Sequence, residues 1–321
     1  MSVLILGHES DAVADRVAAE LAVRGVPVVR LNPSAFPQRL SMSARISDFH
    51  CWHGSLKTDD GTTIDLAEIR TVWQRGSSQF VMDERMSGPE TAFAYGEARR
   101  GFGGVLAGLG NCLWVNDPIA AARAEYKPIQ LAVATDVGLH VPETLITSDQ
   151  ESAYEWATSL GRPIIYKPLS GVWHADEGQL RVLYTSTVED PRHLLDEKIT
   201  LTAHLFQERV EKICEARAVV IEDKVIAVRL DAASDEARED WRSDYDSLTY
   251  TPIELPPQVS SALVELHKRL GLVYGAVDLA CDVSERWIFL ETNQRGEFGW
   301  LGEETGLPIA AAVADLLEKG I

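Results

Sequence analysis

Two predicted strands near the C-terminus carry the side chains that most constrain how this chain can fold. Asp278 lies on the first strand, and Glu291 and Asn293 lie on the second, after a short turn. Residues two apart on a strand share a face, so the Glu291 and Asn293 side chains are expected roughly 6–7 Å apart. With the facing aspartate, they predict an all-oxygen site for a hard cation such as Mg²⁺. Above phosphates, three such ligands would hold two ions about 3.5–4 Å apart. The alternative is a pair of strand-end carboxylates in solvent.

Composition limits the classes of protein to which the chain can belong. Its 321 residues allow two or three domains with a sizeable core. The formal net charge of −19 argues against a nucleic-acid partner and permits a basic one. The four cysteines are scattered and form no CxxC pattern, which indicates reduced thiols rather than a disulfide framework or a zinc site. No long apolar run and no signal-like start are present, so a soluble, cytoplasmic protein without a membrane segment is expected.

The first hundred or so residues are typical of a small α/β domain. A buried strand over 2–7 ends in a glycine, a helix follows over 11–24, and a second strand covers 27–32. The intervening loop holds only Gly7 and lacks the GxGxxG pattern, so no dinucleotide site is assigned. On a later strand, Trp73 and Arg75 share a face, which is compatible with packing or with a guanidinium that receives a carboxylate.

Two lysines upstream of the acidic strands favour a nucleotide site. Lys127 lies on a helix that the sequence predicts to begin at the Asp117-Pro118 cap. Lys167 ends an apolar strand beside a loop over 170–178, a position that suits nucleotide phosphates. The alternative for Lys167 is an edge-strand lysine that prevents aggregation. A linker over 205–211 can present backbone groups to an adenine edge.

The order of these motifs resembles the ATP-grasp ligases. Within them it resembles the microviridin-type (graspetide) peptide maturases, and their actinobacterial-type members in particular. The resemblance covers about residues 70–320. It rests on seven motifs in order: VWQR (72–75), WVN (114–116), YKPIQL (126–131), VPETLIT (141–147), LFQE (205–208), DWR (240–242) and FLETN (289–293).

The resemblance implies an α/β (α+β) ATP-grasp fold with ATP bound between its last two parts. The implied division is an N-terminal, Rossmann-like pre-ATP-grasp domain over 1–116, a central subdomain over 117–203, and a C-terminal antiparallel-sheet subdomain over 204–321. The implied nucleotide-binding residues are Lys127, Lys167, Gln207, Glu208, Val210, Glu215 and Asn293. The implied ligands of two Mg²⁺ ions are Asp278, Glu291 and Asn293. The candidate catalytic residues are Arg217, Arg229 and Lys167.

Two departures from the family pattern leave roles open. The family usually has aspartate where this chain has Glu215, which is expected to bind the ribose or to help Arg217 hold a substrate carboxylate. The segment 294–298 differs from the usual Asn-Pro-x-Gly-Gln-Trp. There Arg295 adds a cation near the expected phosphates, either to bind substrate or to pack. Arg229 and Arg242 are candidates to stabilise developing charge.

The expected activity is ATP-dependent ligation within a ribosomally made precursor peptide. An acyl phosphate forms on a Glu or Asp side chain, and a Ser, Thr or Lys side chain attacks it to give an ester or an amide. Alternatives are an ATP-grasp ligase for free amino acids or a protein tail, and a non-catalytic nucleotide-dependent peptide-binding module. The resemblance further implies a homodimer. The segment 231–246 is expected to be a mobile loop that contacts the peptide, or otherwise a solvated linker.

Overall fold

The N-terminal part of the fold is an α/β layer with a small antiparallel sheet beside it. The computed structural model describes residues 2–47, 51–76, 79–170, 173–176, 179–182 and 185–320, with backbone alone over 173–176 and 179–182. Strands β2, β1, β6 and β7 pair in parallel in that order, and β3, β4 and β5 pair antiparallel. The elements are β1 (Ser2–Leu6), α1 (Ala12–Val23), β2 (Val28–Leu31), β3 (Leu40–Ile46), β4 (Trp52–Thr58), β5 (Thr63–Asp65), β6 (Ile69–Gln74), α2 (Gly88–Ala107) and β7 (Leu113–Val115).

A four-stranded antiparallel sheet dominates the middle of the chain. Its strand order is β12-β9-β13-β8, and a separate hairpin pairs β10 with β11. The elements are α3 (Pro118–Ala124), α4 (Lys127–Asp136), β8 (Thr144–Thr147), α5 (Gln150–Leu160), β9 (Ile164–Lys167), β10 (Trp173–Asp176), β11 (Gln179–Val182), β12 (Ser186–Val188) and β13 (His204–Glu208). The strand β13, which the sequence places at the start of the C-terminal part, thus pairs with the central sheet.

The C-terminal part is built on a five-stranded antiparallel sheet. Its order is β16-β15-β14-β17-β18, which leaves β18 at one edge. The elements are β14 (Lys212–Ile221), β15 (Lys224–Ala232), α6 (Asp235–Glu239), β16 (Leu248–Ile253), α7 (Pro257–Leu270), β17 (Tyr274–Asp282), β18 (Trp287–Asn293), α8 (Gly299–Thr305) and α9 (Ile309–Lys319). Together the three layers confirm the predicted mixed α/β class. The predicted strand-helix-strand opening is also present.

Where the sequence predicts one helix through Lys127, the structure contains two. The first, α3, begins after Asp117, whose side chain accepts from the backbone N–H groups of Ile119 and Ala120, and it ends at Ala124. The second, α4, begins at Lys127 because Pro128 has no N–H to donate to the Ala124 carbonyl and its ring would clash with that carbonyl. The break makes Lys127 the first residue of a helix.

Apolar side chains on both faces of the C-terminal sheet join it to the rest of the molecule. On one face, a core that includes Val219 and Tyr274 continues into Trp73 of the N-terminal sheet and Leu317 of α9. On the other face, helices α4 and α7 cover a core around Phe289. The C-terminal sheet is therefore held between the N-terminal layer and the first helices of the central part.

The segment expected as a mobile loop or solvated linker contains a short helix and a buried tryptophan. After α6, Trp241 is 5% exposed and packs against Tyr245 and Trp300, with ring centroids 5.4 Å away in each case. Burial of this indole against two aromatic rings explains why the acidic composition does not leave the segment solvated. The expected loop over 170–178 lies partly outside the described residues.

Among the described residues, no helix is both long enough and apolar enough to cross a membrane.

Candidate active site

Three neighbouring strands place an arginine and two carboxylates side by side. In the strand register, Arg217 of β14 lies opposite Asp278 of β17, which in turn lies opposite Glu291 of β18. Directly opposed residues of antiparallel strands point to the same face, so the three side chains converge. Arg217 Nη1 donates to Asp278 Oδ1 at 2.6 Å, and the two residues are only 5% and 2% exposed. The pair is a buried, charge-assisted contact.

A second guanidinium bridges the two carboxylates from outside the sheet. Arg242 follows the buried Trp241, and its Nη2 donates to Asp278 Oδ2 at 2.5 Å and to Glu291 Oε1 at 2.6 Å. The Trp241 ring lies beneath both guanidinium groups, 5.3 Å from that of Arg242 and 5.8 Å from that of Arg217. Cation–π contact therefore helps to hold both arginines on the carboxylates.

Both predicted lysines approach the same carboxylates. Lys127 Nζ donates to Glu291 Oε2 at 2.5 Å, which uses the remaining oxygen of that side chain. Burial lowers the pKa of Lys167 below its ordinary value, while the nearby Glu291 charge opposes that shift. Burial also disfavours the ionised form of Glu291, but the charges of Lys127, Arg242 and Lys167 outweigh it and hold the pKa of Glu291 well below its usual range. Glu291 is thus a carboxylate surrounded by cations.

The oxygen ligands predicted for a metal lie on two adjacent strands, and two of them are paired with cations. Asn293 lies two residues after Glu291 on β18 and is exposed, and its Oδ1 accepts from the Arg295 backbone N–H at 2.9 Å. Among the described side chains, no group of three His, Cys, Asp or Glu is arranged to hold a metal by itself. Mg²⁺ is commonly held by one or two carboxylates, with water and phosphate completing its shell, so two carboxylates and an amide suit it.

The residues predicted to contact the base are divided between two faces of the central sheet. Lys167 lies opposite Leu205 in the register, so Gln207 shares its face. Gln207 is 2% exposed and its Nε2 donates to Thr144 Oγ1 at 2.9 Å. Glu208 points to the other face, where its carboxylate pairs with Arg162. The Glu208 side chain is therefore turned away from Lys167, and only its backbone and that of the half-buried Val210 remain candidates to meet the base.

Glu215 and Arg217, the acid-x-arginine pair on β14, lie on the same face of the sheet as Asp278, whereas Arg229 does not. Glu215 shares the face of Arg217, its Oε1 accepts from Lys212 Nζ at 2.6 Å, and burial raises its pKa against the pull of Lys212. Arg229 lies opposite Ala216 in the register and so points to the other face of the sheet. There it makes a two-pronged contact with Asp231 at 2.7–2.9 Å. Strand alternation separates Arg229 from the carboxylates, and no spacing in the sequence alone showed the register.

The carbonyls of four successive residues after β18 each accept a hydrogen bond from a side chain elsewhere in the chain. Sequence reasoning missed this arrangement. Two of the donors come from the N-terminal layer, and no local pattern links them to this loop. The bonds run from Asn116 Nδ2 to the Gln294 carbonyl at 2.9 Å, from Arg75 Nη1 to that of Arg295 at 3.3 Å, from Tyr274 Oη to that of Gly296 at 2.5 Å, and from Arg217 Nη2 to that of Glu297 at 3.4 Å. Arg75 also donates to the Asp11 and Glu297 carboxylates, as its sequence context allowed.

One buried donor in the cluster has no acceptor. Among the described residues, Arg217 Nε is buried and has no hydrogen-bond partner. Buried donors are almost always bonded, because leaving one without an acceptor is costly. Arg217 is therefore held beside Asp278 with one of its donors unsatisfied.

Known proteins resemble this chain in sequence and in fold. Residues 2–122 match the family model of the MvdD pre-ATP-grasp domain. The whole chain superposes on a RiPP-associated ATP-grasp ligase of Chryseobacterium gregarium, solved with ADP and a leader and core peptide. That match has 27% identity and a TM-score of 0.90, and covers 99% of this chain and 97% of the other. It also superposes on the macrocyclase MdnC of Microcystis aeruginosa bound to its precursor peptide MdnA, with 26% identity, a TM-score of 0.86 and full coverage of both chains.

Similarity to curated proteins is more distant and also concerns ligases. A probable alpha-L-glutamate ligase of Shewanella amazonensis is 23% identical over 213 residues, which are 64% of this chain and 66% of that protein. The chain therefore spans just under two thirds of this relative's length. The chain is thus similar to the MvdD family over residues 2–122, and it shares its fold from end to end with a RiPP-associated ATP-grasp ligase and a macrocyclase.

Proposed function

We propose that this protein uses ATP to activate a carboxylate of a ribosomally made precursor peptide and joins it to a hydroxyl or amine of the same peptide. The observation that carries the proposal is the convergence of Lys127, Lys167 and Arg217 on the carboxylates of Asp278 and Glu291. Two lysines suit a triphosphate, two carboxylates suit its metal ion, and a buried arginine with an unused proton suits an acidic substrate.

The nucleotide would lie between the central and C-terminal sheets. Lys127 and Lys167 would contact its phosphates, while Gln207 and the backbone of Glu208 and Val210 would face the base. Glu215 remains a candidate for the ribose or for the substrate site. This arrangement corresponds to a division of the chain into 1–116, 117–203 and 204–321, although β13 hydrogen-bonds to the central sheet.

Asp278, Glu291 and Asn293 would hold Mg²⁺. When bound, Mg²⁺ neutralises charge on the phosphates during transfer. The pKa of Glu291 lies well below its usual range because the surrounding cations outweigh the effect of burial, so this side chain is ionised at neutral pH. Asn293 supplies its amide oxygen without adding charge.

The residues of the cluster would act on a substrate carboxylate in two steps. Arg217 would hold the carboxylate while one of its oxygens attacks the γ-phosphorus and ADP departs, which gives an acyl phosphate. Lys127 and Lys167 would balance the charge that develops on the transferring group. A hydroxyl or amine of the peptide then attacks the carbonyl, loses its proton, and releases phosphate. Because both groups belong to one peptide, their effective concentration is high.

The partner would be a precursor peptide with a leader and a core. The net charge of −19 favours a leader that carries basic residues. We also propose that two copies of the protein form a homodimer.

The experiment is a turnover assay with Mg²⁺-ATP and synthetic peptides that carry Glu or Asp together with Ser, Thr or Lys. The expected products are ADP, phosphate and a peptide lighter by one water molecule for each bond closed. Glu291→Ala should abolish both products. Glu265→Ala should not, since that carboxylate lies on the exposed side of α7 and pairs with Arg269. Unchanged turnover by Glu291→Ala would refute the proposed site.

A second candidate is ligation of a free amino acid to a peptide or protein tail. It is favoured by the curated relatives, a probable alpha-L-glutamate ligase and an alpha-aminoadipate–LysW ligase of Sulfurisphaera tokodaii, which is 32% identical over 59 residues. The products distinguish the two: ligation of a free amino acid adds mass to the acceptor, whereas ring closure removes water from one peptide.

A further inference from the structure

The edge strand that carries the proposed metal ligands lacks a neighbouring strand on its outer side. Among the strands that the structure describes, β18 pairs with β17 alone, and His140 forms an isolated parallel bridge with Ile288. Unpaired backbone groups on an edge need another partner when they are buried. At Phe289 the partner is the backbone of His140, whose carbonyl accepts from the Phe289 N–H at 2.7 Å. At Thr292, the residue between Glu291 and Asn293, the partner is a side chain.

Gln130 of α4 takes the place of the missing strand at Thr292. Its Oε1 accepts from the Thr292 N–H at 2.9 Å, and its Nε2 donates to the Thr292 carbonyl at 2.9 Å. The second Nε2 proton goes to the Ala124 carbonyl at 2.5 Å, which the proline at 128 leaves without a helical partner. If the Gln130 amide were flipped, its oxygen would face two carbonyl oxygens. The hydrogen-bond network therefore fixes which atom is Oε1 and which is Nε2. Gln130 is 4% exposed and every amide proton is used.

The side chain of Thr292 is fixed from a second helix. His267 of α7 uses Nδ1 to donate to the Leu263 carbonyl at 2.8 Å, which leaves Nε2 to accept from Thr292 Oγ1 at 3.1 Å. The fit leaves no spare room, because a Cβ at Gly275 would lie 2.3 Å from His267 Nε2 and 2.9 Å from Thr292 Oγ1. All three polar groups of Thr292 are therefore held by two helices. We call Gln130, Thr292 and His267 the Thr292 clamp.

The same helical turn holds the clamp and the proposed phosphate lysine. Lys127 and Gln130 are three residues apart in α4, so they lie on one side of the helix. Lys127 contacts Glu291 while Gln130 contacts Thr292. Two separate contacts therefore join this turn of α4 to successive residues of β18.

We infer that Gln130 is a positioning residue, which holds the backbone of Thr292 so that Glu291 and Asn293 present their oxygens together to a divalent cation. The inference rests on the proposed function of Glu291 and Asn293. Gln130 itself touches neither nucleotide nor metal in this scheme. Its loss should therefore weaken metal binding while leaving metal-free nucleotide binding intact.

The test measures Mn²⁺ binding in the presence of ADP by electron paramagnetic resonance, with the full-length protein and without turnover. Gln130→Met keeps the side-chain length and removes the hydrogen bonds, and it should weaken Mn²⁺ binding at least about tenfold. Gln130→Glu replaces the Nε2 donor with an oxygen that faces two carbonyls. It should weaken Mn²⁺ binding as much as Gln130→Met does. Thr135→Val is the matched control, since it removes a hydrogen bond of the same helix, to the Leu131 carbonyl, and should change the affinity less than about twofold.

Further measurements separate positioning from folding. Binding of ADP in EDTA should stay within about twofold of wild type in Gln130→Met, and combining Gln130→Met with Asn293→Ala should add little to Asn293→Ala alone. If Gln130→Met fails to fold, Thr292→Val removes only the bond to His267 and should weaken Mn²⁺ binding about threefold. Mn²⁺ affinity unchanged in folded Gln130 variants would overturn the inference. Mn²⁺ affinity unchanged in Glu291→Ala would instead overturn the proposed metal site.

Discussion

Asn116 should be one of the residues on which the stability of the site most depends. Its side chain is 3% exposed and makes four hydrogen bonds to backbone groups of two other segments. Oδ1 accepts from the Val273 and Tyr274 N–H groups at 2.8 and 2.9 Å, and Nδ2 donates to the Tyr274 and Gln294 carbonyls at 2.8 and 2.9 Å. A buried hydrogen bond contributes about 1 kcal/mol net, so Asn116→Ala should lower the free energy of unfolding by about 4 kcal/mol.

The assay is urea unfolding of the full chain, followed by the fluorescence of its eight tryptophans. Asn116→Asp is the informative second variant, because it keeps the acceptor and turns an oxygen towards two carbonyls. At neutral pH it should be at least as unstable as Asn116→Ala. The difference in free energy of unfolding between Asn116→Asp and wild type should shrink as the pH falls, because protonation of the new carboxylate restores one donor. If both variants unfold within about 1 kcal/mol of wild type, the reasoning from these four bonds is wrong.

Three further predictions follow from the charges and the register. Arg217→Lys should reduce turnover at least about tenfold, because a lysine cannot meet Asp278, the Glu297 carbonyl and a substrate oxygen at once. Arg229→Met should keep turnover within about twofold of wild type in the same assay, since its partner Asp231 lies on the opposite face from the carboxylates. Burial lowers the pKa of His267 to about 4, whereas the unfolded imidazole takes a proton near pH 6.5. The contribution of His267 to the free energy of unfolding should therefore be constant above pH 6.5 and fall by up to about 3 kcal/mol as the pH drops to 4. In chemical unfolding curves, His267→Gln should flatten that fall.

The placement of the lysines shows how far local sequence rules reach. The rules identified Lys127 and Lys167 by their positions at a helix and at a strand end, and both approach Glu291. They predicted one helix through Lys127 from the cap at Asp117. The break before Pro128 then made Lys127 a helix-initiating residue.

Sequence alone determined the chemistry that the chain carries and the order in which it occurs. The spacing of Glu291 and Asn293 on one strand, the strand-end position of Lys167 and the sequence of motifs all follow from periods and residue types within a few positions. These local rules were enough to indicate a resemblance to ATP-grasp peptide ligases and the expected class of reaction, because side-chain chemistry and strand alternation are local properties.

Tertiary structure alone decided which side chains meet. The register placed Arg217 opposite Asp278 and turned Arg229 away. Packing brought Arg75 and Asn116 from the N-terminal layer to the carbonyls of a loop about 180 to 220 residues later. Such contacts depend on how whole sheets and helices bury their apolar faces against one another. That balance of burial and hydrogen bonding extends over the entire chain and leaves no mark in any short stretch of sequence.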